Sequence, residues 1–296
     1  MKIWKSLLWA GLLLPVLAQA ALEVVATSSS TGALVREIAR DQAELTILAP
    51  PDRDIHYLQA RPSMVRALRG ADLVVALGAD LEVGWLPVAI RQAANPAILP
   101  GRPGYFEAAA QVRLLDVGGP ADRALGDVHP VGNPHLNMDP LRMSKVAWAL
   151  ARRLGELDPA NSGQYRRRAD AFAQKVKKRL TQWQARAAGA PGVVSYHRDL
   201  LYLLERMQVP LLGTIEPVPG VPPSGAHLQA LTQRLSGRRG VVLYTVFQSA
   251  QGPESLAKTL GWPARRLPLE PPLDADGDGY LELMERWVRA LLPNGS

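Results

Sequence analysis

The chain carries five histidines and no cysteine. Two of the five, His129 and His135, stand in DVHPVGNPHLNMDP, a stretch too rich in proline, glycine and asparagine to read as helix or strand. His56 stands in APPDRDIHYLQARPS, and His197 closes the apolar run GVVSYH. A neutral imidazole offers a nitrogen lone pair to a metal ion. Three such nitrogens with one carboxylate oxygen suit Zn2+ in a tetrahedral set, at metal–nitrogen distances of roughly 2.0–2.1 Å. A single loop histidine is more often solvated than ligating, so the reading depends on whether these residues meet.

That is decided by the elements that carry them. Apolar, β-branched runs at residues 22–26, 44–48, 73–77 and 112–117 alternate with the helical patterns GALVREIARD, SMVRALRG and WLPVAIRQAA. A second group of runs at 193–196, 211–215, 241–246 and 266–269 alternates with LLYLLERM, AHLQALTQRL and ESLAKTL, and YLELMERWVRALL follows. The alternation predicts an α/β fold of two lobes, each a roughly four-stranded, mostly parallel sheet with flanking helices. Ligands of such sheets bind beyond the carboxyl ends of the strands. His56 follows the second strand and His135 the fourth, while His197 ends the fifth and Glu270, in RLPLEPP, ends the eighth. Three imidazoles and a carboxylate therefore converge on the cleft between the lobes. Asp274, Asp276 and Glu216 are alternative oxygen donors.

Between the two groups, Asp139-Pro140 reads as an N-cap and first-turn proline, and Asp158-Pro159 as a second stop and start. Beyond it Tyr165, Ala169, Phe172, Val176, Leu180 and Trp183 recur at three- and four-residue steps, one apolar stripe on a charged helix. This long helix is expected to join the lobes. The domain reading is a signal peptide at 1–20, an N-terminal lobe at 21–160, a linking helix at 161–188 and a C-terminal lobe at 189–296.

The opening MKIWKSLLWAGLLLPVLAQA has the basic, apolar and small-residue regions of a secretory signal, with cleavage expected near Ala20. No later stretch reaches the roughly 18 apolar residues of a membrane span. The lack of cysteine excludes disulfides, thiolate ligands and a lipid-modified cysteine. A periplasmic monomer without stable membrane insertion is the expectation. Losing Lys2 and Lys5 takes the formal charge from +7 to about +5. The arginines are scattered over the helices, which describes a solvated basic surface rather than a nucleic-acid interface.

Two more strings suggest chemistry. DADGDGYLELME places Asp274, Asp276 and Asp278 at loop positions one, three and five, Gly279 at six and Glu285 at twelve, the calcium pattern of an EF-hand. The proline-rich LPLEPPL before it cannot form the entering helix, so the competing reading is an acidic turn capping the last helix. In SYHRD, Ser195, His197 and Asp199 have the residue types of hydrolase chemistry, but no G-x-S-x-G elbow is present.

The residues resemble the zinc- and manganese-binding solute-binding proteins of ABC transporters, the cluster A-I family, over nearly all of the chain after the signal. LEVVATSSSTGALVREIARD resembles the family's opening strand and helix. DIHYLQARPSMVRALRGADLVVALGADLEVGWL, GNPHLNMDP with LGELDPANSGQYRRR, and VVSYHRDLLYLLER resemble its three ligand regions. The resemblance implies two lobes joined by one long helix. It implies capture of a divalent transition metal for delivery to an inner-membrane ABC permease, with His56, His135, His197 and, most nearly, Glu270 as ligands. The family usually has Asp at the fourth position.

Manganese-type members carry a carboxylate at the third position. The imidazole of His197 there favours Zn2+ over Mn2+. The long His- and acid-rich loop of some zinc-specific relatives is missing. Asp54, Asp139 and Glu216 are candidates to orient the imidazoles. His129 matches no ligand position and reads as a surface residue or a transient ligand at the cleft mouth; the role of His227 is open. The alternative activity, a zinc-dependent hydrolase built on the same histidines, would need an open coordination position and a general base, and no HExxH motif supplies one.

Overall fold

The structure is a computed structural model, and it describes residues 20–118 and 126–294. Of the signal-peptide reading at 1–20, residues 1–19 lie outside the described residues. The N-terminal lobe runs β1 (Leu22–Ala26), α1 (Ser29–Ala39), β2 (Ala43–Ile47), α2 (Pro62–Gly70), β3 (Leu73–Ala76), α3 (Leu86–Ala93) and β4 (Tyr105–Glu107). Helices α4 (Pro140–Leu157) and α5 (Ser162–Ala187) follow. The C-terminal lobe runs β5 (Val193–Ser195), α6 (Leu201–Met207), β6 (Leu211–Thr214), α7 (Gly225–Leu235), β7 (Val241–Thr245), α8 (Gln251–Leu260), β8 (Ala264–Leu267) and α9 (Gly277–Ala290).

Each lobe has one parallel four-stranded sheet, ordered β2-β1-β3-β4 in the first and β6-β5-β7-β8 in the second. The central strands β3 and β7 are buried at every position, as expected of strands covered on both faces. All eight strands point their carboxyl ends toward loops that can meet between the sheets.

Seven of the eight expected strands coincide with observed ones to within two residues. The exception is 112–117, which is not a strand; the fourth strand is Tyr105–Glu107, pairing with Val74–Ala76. Asp116 adopts a positive φ of 53° that breaks any extended run, and Val117 is 68% exposed. The Leu115 backbone instead bonds outside any sheet: its N–H donates to the Tyr202 hydroxyl and its carbonyl accepts from the Asn133 N–H. The apolar run carries the chain across to the second lobe.

Helix α4 starts where Asp139 caps it, the carboxylate accepting from the Leu141 N–H at 2.9 Å, with Pro140 at its first position. Helix α5 has 26 residues, about 39 Å at 1.5 Å per residue. Its stripe Tyr165, Ala169, Phe172, Val176, Leu180, Trp183 and Ala187 is buried along its whole length. One continuous apolar core takes in Val24 and Leu73 of the first lobe, the α4–α5 stripe, and Val193, Val241 and Trp287 of the second. A smaller cluster around Val194, Val242, Leu231 and Leu256 fills the outer face of the second sheet. Helix α5 thus joins the lobes as a packed part of a shared core. No helix among the described residues is long and apolar enough to cross a membrane.

Candidate metal centre

His56 sits on a short 3-10 turn, Ile55–Tyr57, beyond β2. Asp54 builds that turn, accepting from the His56 N–H at 3.0 Å and from the ring Nδ1 at 2.6 Å. With its proton on Nδ1, the ring presents Nε2 as a lone pair. Burial works against the Asp54 charge, but the hydrogen bonds to His56 outweigh it and hold the carboxyl below its ordinary value.

His197 follows β5 directly. Its Nδ1 lies 2.9 Å from Glu216 Oε2, on the loop beyond β6, so the second imidazole is oriented as the first is. Burial disfavours a charge on this ring, yet the Glu216 hydrogen bond and the charges of Asp199, Glu216 and Asp54 raise its pKa above 6.5.

His135 is carried by the loop ahead of α4 and is held from both lobes. Its N–H donates to Asn133 Oδ1 at 2.9 Å, and Asn133 Nδ2 donates to the Arg198 carbonyl beside His197. The Tyr202 hydroxyl, fully buried on α6, donates to the Asn133 carbonyl at 2.6 Å. Gly132 has a φ of +130°, and a Cβ there would stand 2.7 Å from that of Leu114, so the turn needs glycine. Burial, then the neighbouring imidazoles, push the His135 pKa well below 6.5 and keep the ring neutral. Its Nε2 is buried without a hydrogen-bond partner, which costs about 1–3 kcal/mol for a polar atom shut away from water.

These elements bring His56, His135 and His197 together, with one potential ligand atom from each within 4.8 Å of the others. Their ring centroids lie 5.2–5.8 Å apart. All three are buried. Three buried imidazoles gathered this closely, each neutral when deprotonated, are a donor set that could hold a divalent cation.

Glu270 lies at the same cleft, beside His56, His135 and Asn137. Its carboxylate accepts from the Ser30 N–H and hydroxyl, both at 2.6 Å, and from Asn137 Nδ2 at 3.0 Å. The Ser30 N–H belongs to the first turn of α1, whose positive dipole end favours an anion. Burial nevertheless dominates and raises the Glu270 pKa to about 7.

Two histidines outside the expected ligand set behave differently. His227 Nε2 faces the Thr214 carbonyl at 3.0 Å, away from the cluster. His129 is not a surface residue: it is half-buried, with its Nε2 only 3.2 Å from that of His56. Its position arises from contacts between loops of opposite lobes, which local spacing does not reveal; proline and glycine around it were the available signal.

Of the expected orienting groups, Asp54 and Glu216 hold imidazoles and Asp139 does not. Asp139 is fully buried, receives Arg206 through two hydrogen bonds and Arg142 through one, and caps α4. The hydrolase residues are committed elsewhere too, with Ser195 Oγ donating to the His197 carbonyl and Asp199 accepting from Gln248.

The calcium reading fails. Asp276 caps α9 by accepting from the Asp278 and Gly279 N–H groups, and Asp278 pairs with Lys175. Glu285 lies two turns along α9 and is bonded to Trp183, Arg186 and Arg289. With the helix starting at Gly277, the twelfth loop position faces α5 and not Asp274. The acidic string is a helix cap, as the prolines before it foretold.

Two parallel α/β lobes joined by one long helix, with imidazoles converging between them, define a two-lobed binding protein. A profile of the family described as zinc-uptake complex component A, periplasmic (ZnuA), matches residues 24–292, and the chain belongs to that family. The metal ABC transporter substrate-binding lipoprotein ScbA of Streptococcus cristatus is 27% identical over 160 residues, 52% of this chain and 48% of that protein. The iron-binding protein YfeA of Yersinia pestis is 27% identical over 158 residues, 52% of this chain and 45% of that one. The chain spans about half the length of the curated relatives it matches.

Among solved structures, a zinc-bound ZnuA deletion mutant superposes with a TM-score of 0.75 at 20% identity, covering 92% of this chain and 98% of that one. FpvC of Pseudomonas aeruginosa in complex with Ni2+ gives 0.73 at 25% identity, covering 93% and 96%. The family is one of substrate-binding proteins, not of enzymes.

Proposed function

We propose that the protein is a periplasmic receptor that captures one divalent transition metal between its lobes, Zn2+ in preference to Mn2+, and hands it to an inner-membrane ABC permease. On this reading the lobes are residues 21–160 and 189–296, with the helix at 161–188 between them. His56, His135 and His197 each give one nitrogen, and Glu270 is the carboxylate that the sequence assigns to the fourth position. The observation that carries the reading is the buried trio His56, His135 and His197, one potential ligand atom from each within 4.8 Å of the others, with the His135 Nε2 buried and unpartnered. A fold does not ordinarily leave such an atom dry unless something else meets it.

Nitrogen donors favour zinc over manganese, which prefers oxygen. Release requires the lobes or loops to part, so that the ion regains water and the permease can take it.

The test is metal analysis with competition titration on the purified protein, beside His135→Ala. The expected result is one equivalent of zinc, lost or greatly weakened in the variant and indifferent to calcium. Absence of any bound transition metal, or zinc held equally well without His135, refutes the proposal.

A further inference from the structure

We infer that Ser30 is a positioning residue that sets metal selectivity: by filling one oxygen of Glu270 it leaves this carboxylate a single oxygen for the ion, which suits four-coordinate Zn2+ and works against Mn2+. The inference rests on the metal-receptor reading, with Glu270 as its fourth ligand, and deepens it.

An ionised carboxylate has about two lone pairs on each oxygen. Glu270 Oε2 accepts twice, from the Ser30 N–H and from the Ser30 hydroxyl, both at 2.6 Å. Glu270 Oε1 accepts once, from Asn137 Nδ2 at 3.0 Å. One lone pair is left, and it is on Oε1. The carboxylate can therefore give the metal one oxygen but cannot chelate it with two.

The cradle follows from the local sequence. Ser28 caps α1 and takes the Thr31 N–H, so the Ser30 N–H in the same first turn has no partner inside the helix and is met by Glu270. Asn137 Nδ2 also donates to the Ser30 hydroxyl oxygen at 3.2 Å, while the hydroxyl proton goes to Glu270. Asn137 stands two residues after His135 on the 3-10 turn Leu136–Met138, where its carbonyl accepts from the Tyr280 hydroxyl at 2.7 Å. Ser30, Asn137 and Glu270 are each no more than 3% exposed, so bulk water does not compete for these lone pairs.

Glu270 and Asn137 share with His56 and His135 a cavity of about 10 Å3, room for about one water-sized particle. Zinc is content with three nitrogens and one oxygen, whereas Mn2+ favours six oxygen-rich ligands. A further oxygen would have to come from the other side of the carboxylate or from added waters. Ser30 withholds the first, and the small cavity withholds the second.

The two donors of the cradle differ in what their loss releases. Ser30→Ala keeps the N–H bond and drops the hydroxyl bond, so each oxygen of Glu270 has a free lone pair and the carboxylate can chelate. Asn137→Ala frees Oε1 alone, and Glu270 stays a one-oxygen ligand.

The test is competition titration with Zn2+ and Mn2+ on the full chain, Ser30→Ala and Asn137→Ala, read with the visible absorption of bound Co2+, which is intense at four-coordination and weak at five or six. Ser30→Ala should move the affinity ratio toward manganese by about tenfold, the lower end of the roughly 10–100-fold effect of outer-shell partners, and should weaken the cobalt absorption. Asn137→Ala should leave both the ratio and the cobalt spectrum as in the parent. A Ser30→Ala protein with the parent's ratio and spectrum, or an equal shift in Asn137→Ala, overturns the inference. If Ser30→Ala does not fold, the parent's own spectrum decides: four-coordinate cobalt upholds the inference and five- or six-coordinate cobalt overturns it. Failure here differs from failure of the receptor reading: with zinc bound and lost in His135→Ala, only the role of Ser30 falls; with no transition metal bound at all, both fall.

Discussion

Tyr202→Phe removes one oxygen from the loop that holds His135 and leaves the apolar packing of α6 in place. The ring is fully buried, and its hydroxyl makes two bonds, donating to the Asn133 carbonyl at 2.6 Å and accepting from the Leu115 N–H at 3.0 Å. An orphaned buried polar group costs about 1–3 kcal/mol. The Asn133 end is buried and bears the full cost, whereas Leu115 is half-exposed and water recovers part of it. The expected loss is about 2–3 kcal/mol in urea unfolding, with an unchanged slope against urea. Because the same bonds fix the backbone two residues before His135, zinc affinity should fall about tenfold, or 1.4 kcal/mol. Tyr165→Phe is the control. It loses the bond to Asp158 at the far end of α4, so stability should drop while zinc affinity stays. A Tyr202→Phe protein within about 0.5 kcal/mol of the parent, or equal zinc affinities in the two variants, would refute the reasoning.

Three more outcomes are expected. A protonated imidazole cannot ligate, and His197 has a raised pKa, so zinc affinity should fall as pH drops from about 8 to about 6, approaching tenfold per unit below that pKa. His135 stays neutral to lower pH. Competition titration across that range checks this, and a flat profile contradicts it. Asp139→Asn leaves Arg206 and Arg142 facing a neutral amide. Because those side chains are 25% and 11% exposed and can reach water, the cost in urea unfolding should be about 2–3 kcal/mol, below the 3–5 kcal/mol of a wholly buried broken pair. Finally, calcium should leave both the melting temperature and the zinc titration unchanged; a calcium-dependent rise in melting temperature would restore the EF-hand reading of Asp274, Asp276, Asp278 and Glu285.

Local periodicity was enough for the frame. Strand-helix alternation pointed to two parallel lobes, and the stripe from Tyr165 to Trp183 to the helix that joins them, because burial on one face repeats with the period of the element itself. Three histidines could be assigned to one site from the rule that parallel strands aim their carboxyl ends at a common edge. For His56 and His197, beyond β2 and β5, the structure follows that rule, whereas His135 reaches them on the loop ahead of α4 through Asn133 and Tyr202, and one potential ligand atom of each then lies within 4.8 Å of the others.

What the sequence alone could not decide depends on contacts between residues far apart in the chain. The run at 112–117 has strand composition, yet it bonds to Tyr202 and Asn133 and the strand forms at Tyr105–Glu107. The string from Asp274 has calcium spacing, but α9 begins at Gly277 and turns Glu285 toward Arg186. Asp139 looked as apt to orient an imidazole as Asp54 did; only packing placed Arg206 and Arg142 against it. His129 came to His56 because a strap from one lobe bonds to Pro219 of the other. Residue type and spacing set what each side chain can do, and the tertiary structure chooses its partner, because a hydrogen bond or metal bond depends on distances of about 2–3 Å that no one-dimensional pattern fixes.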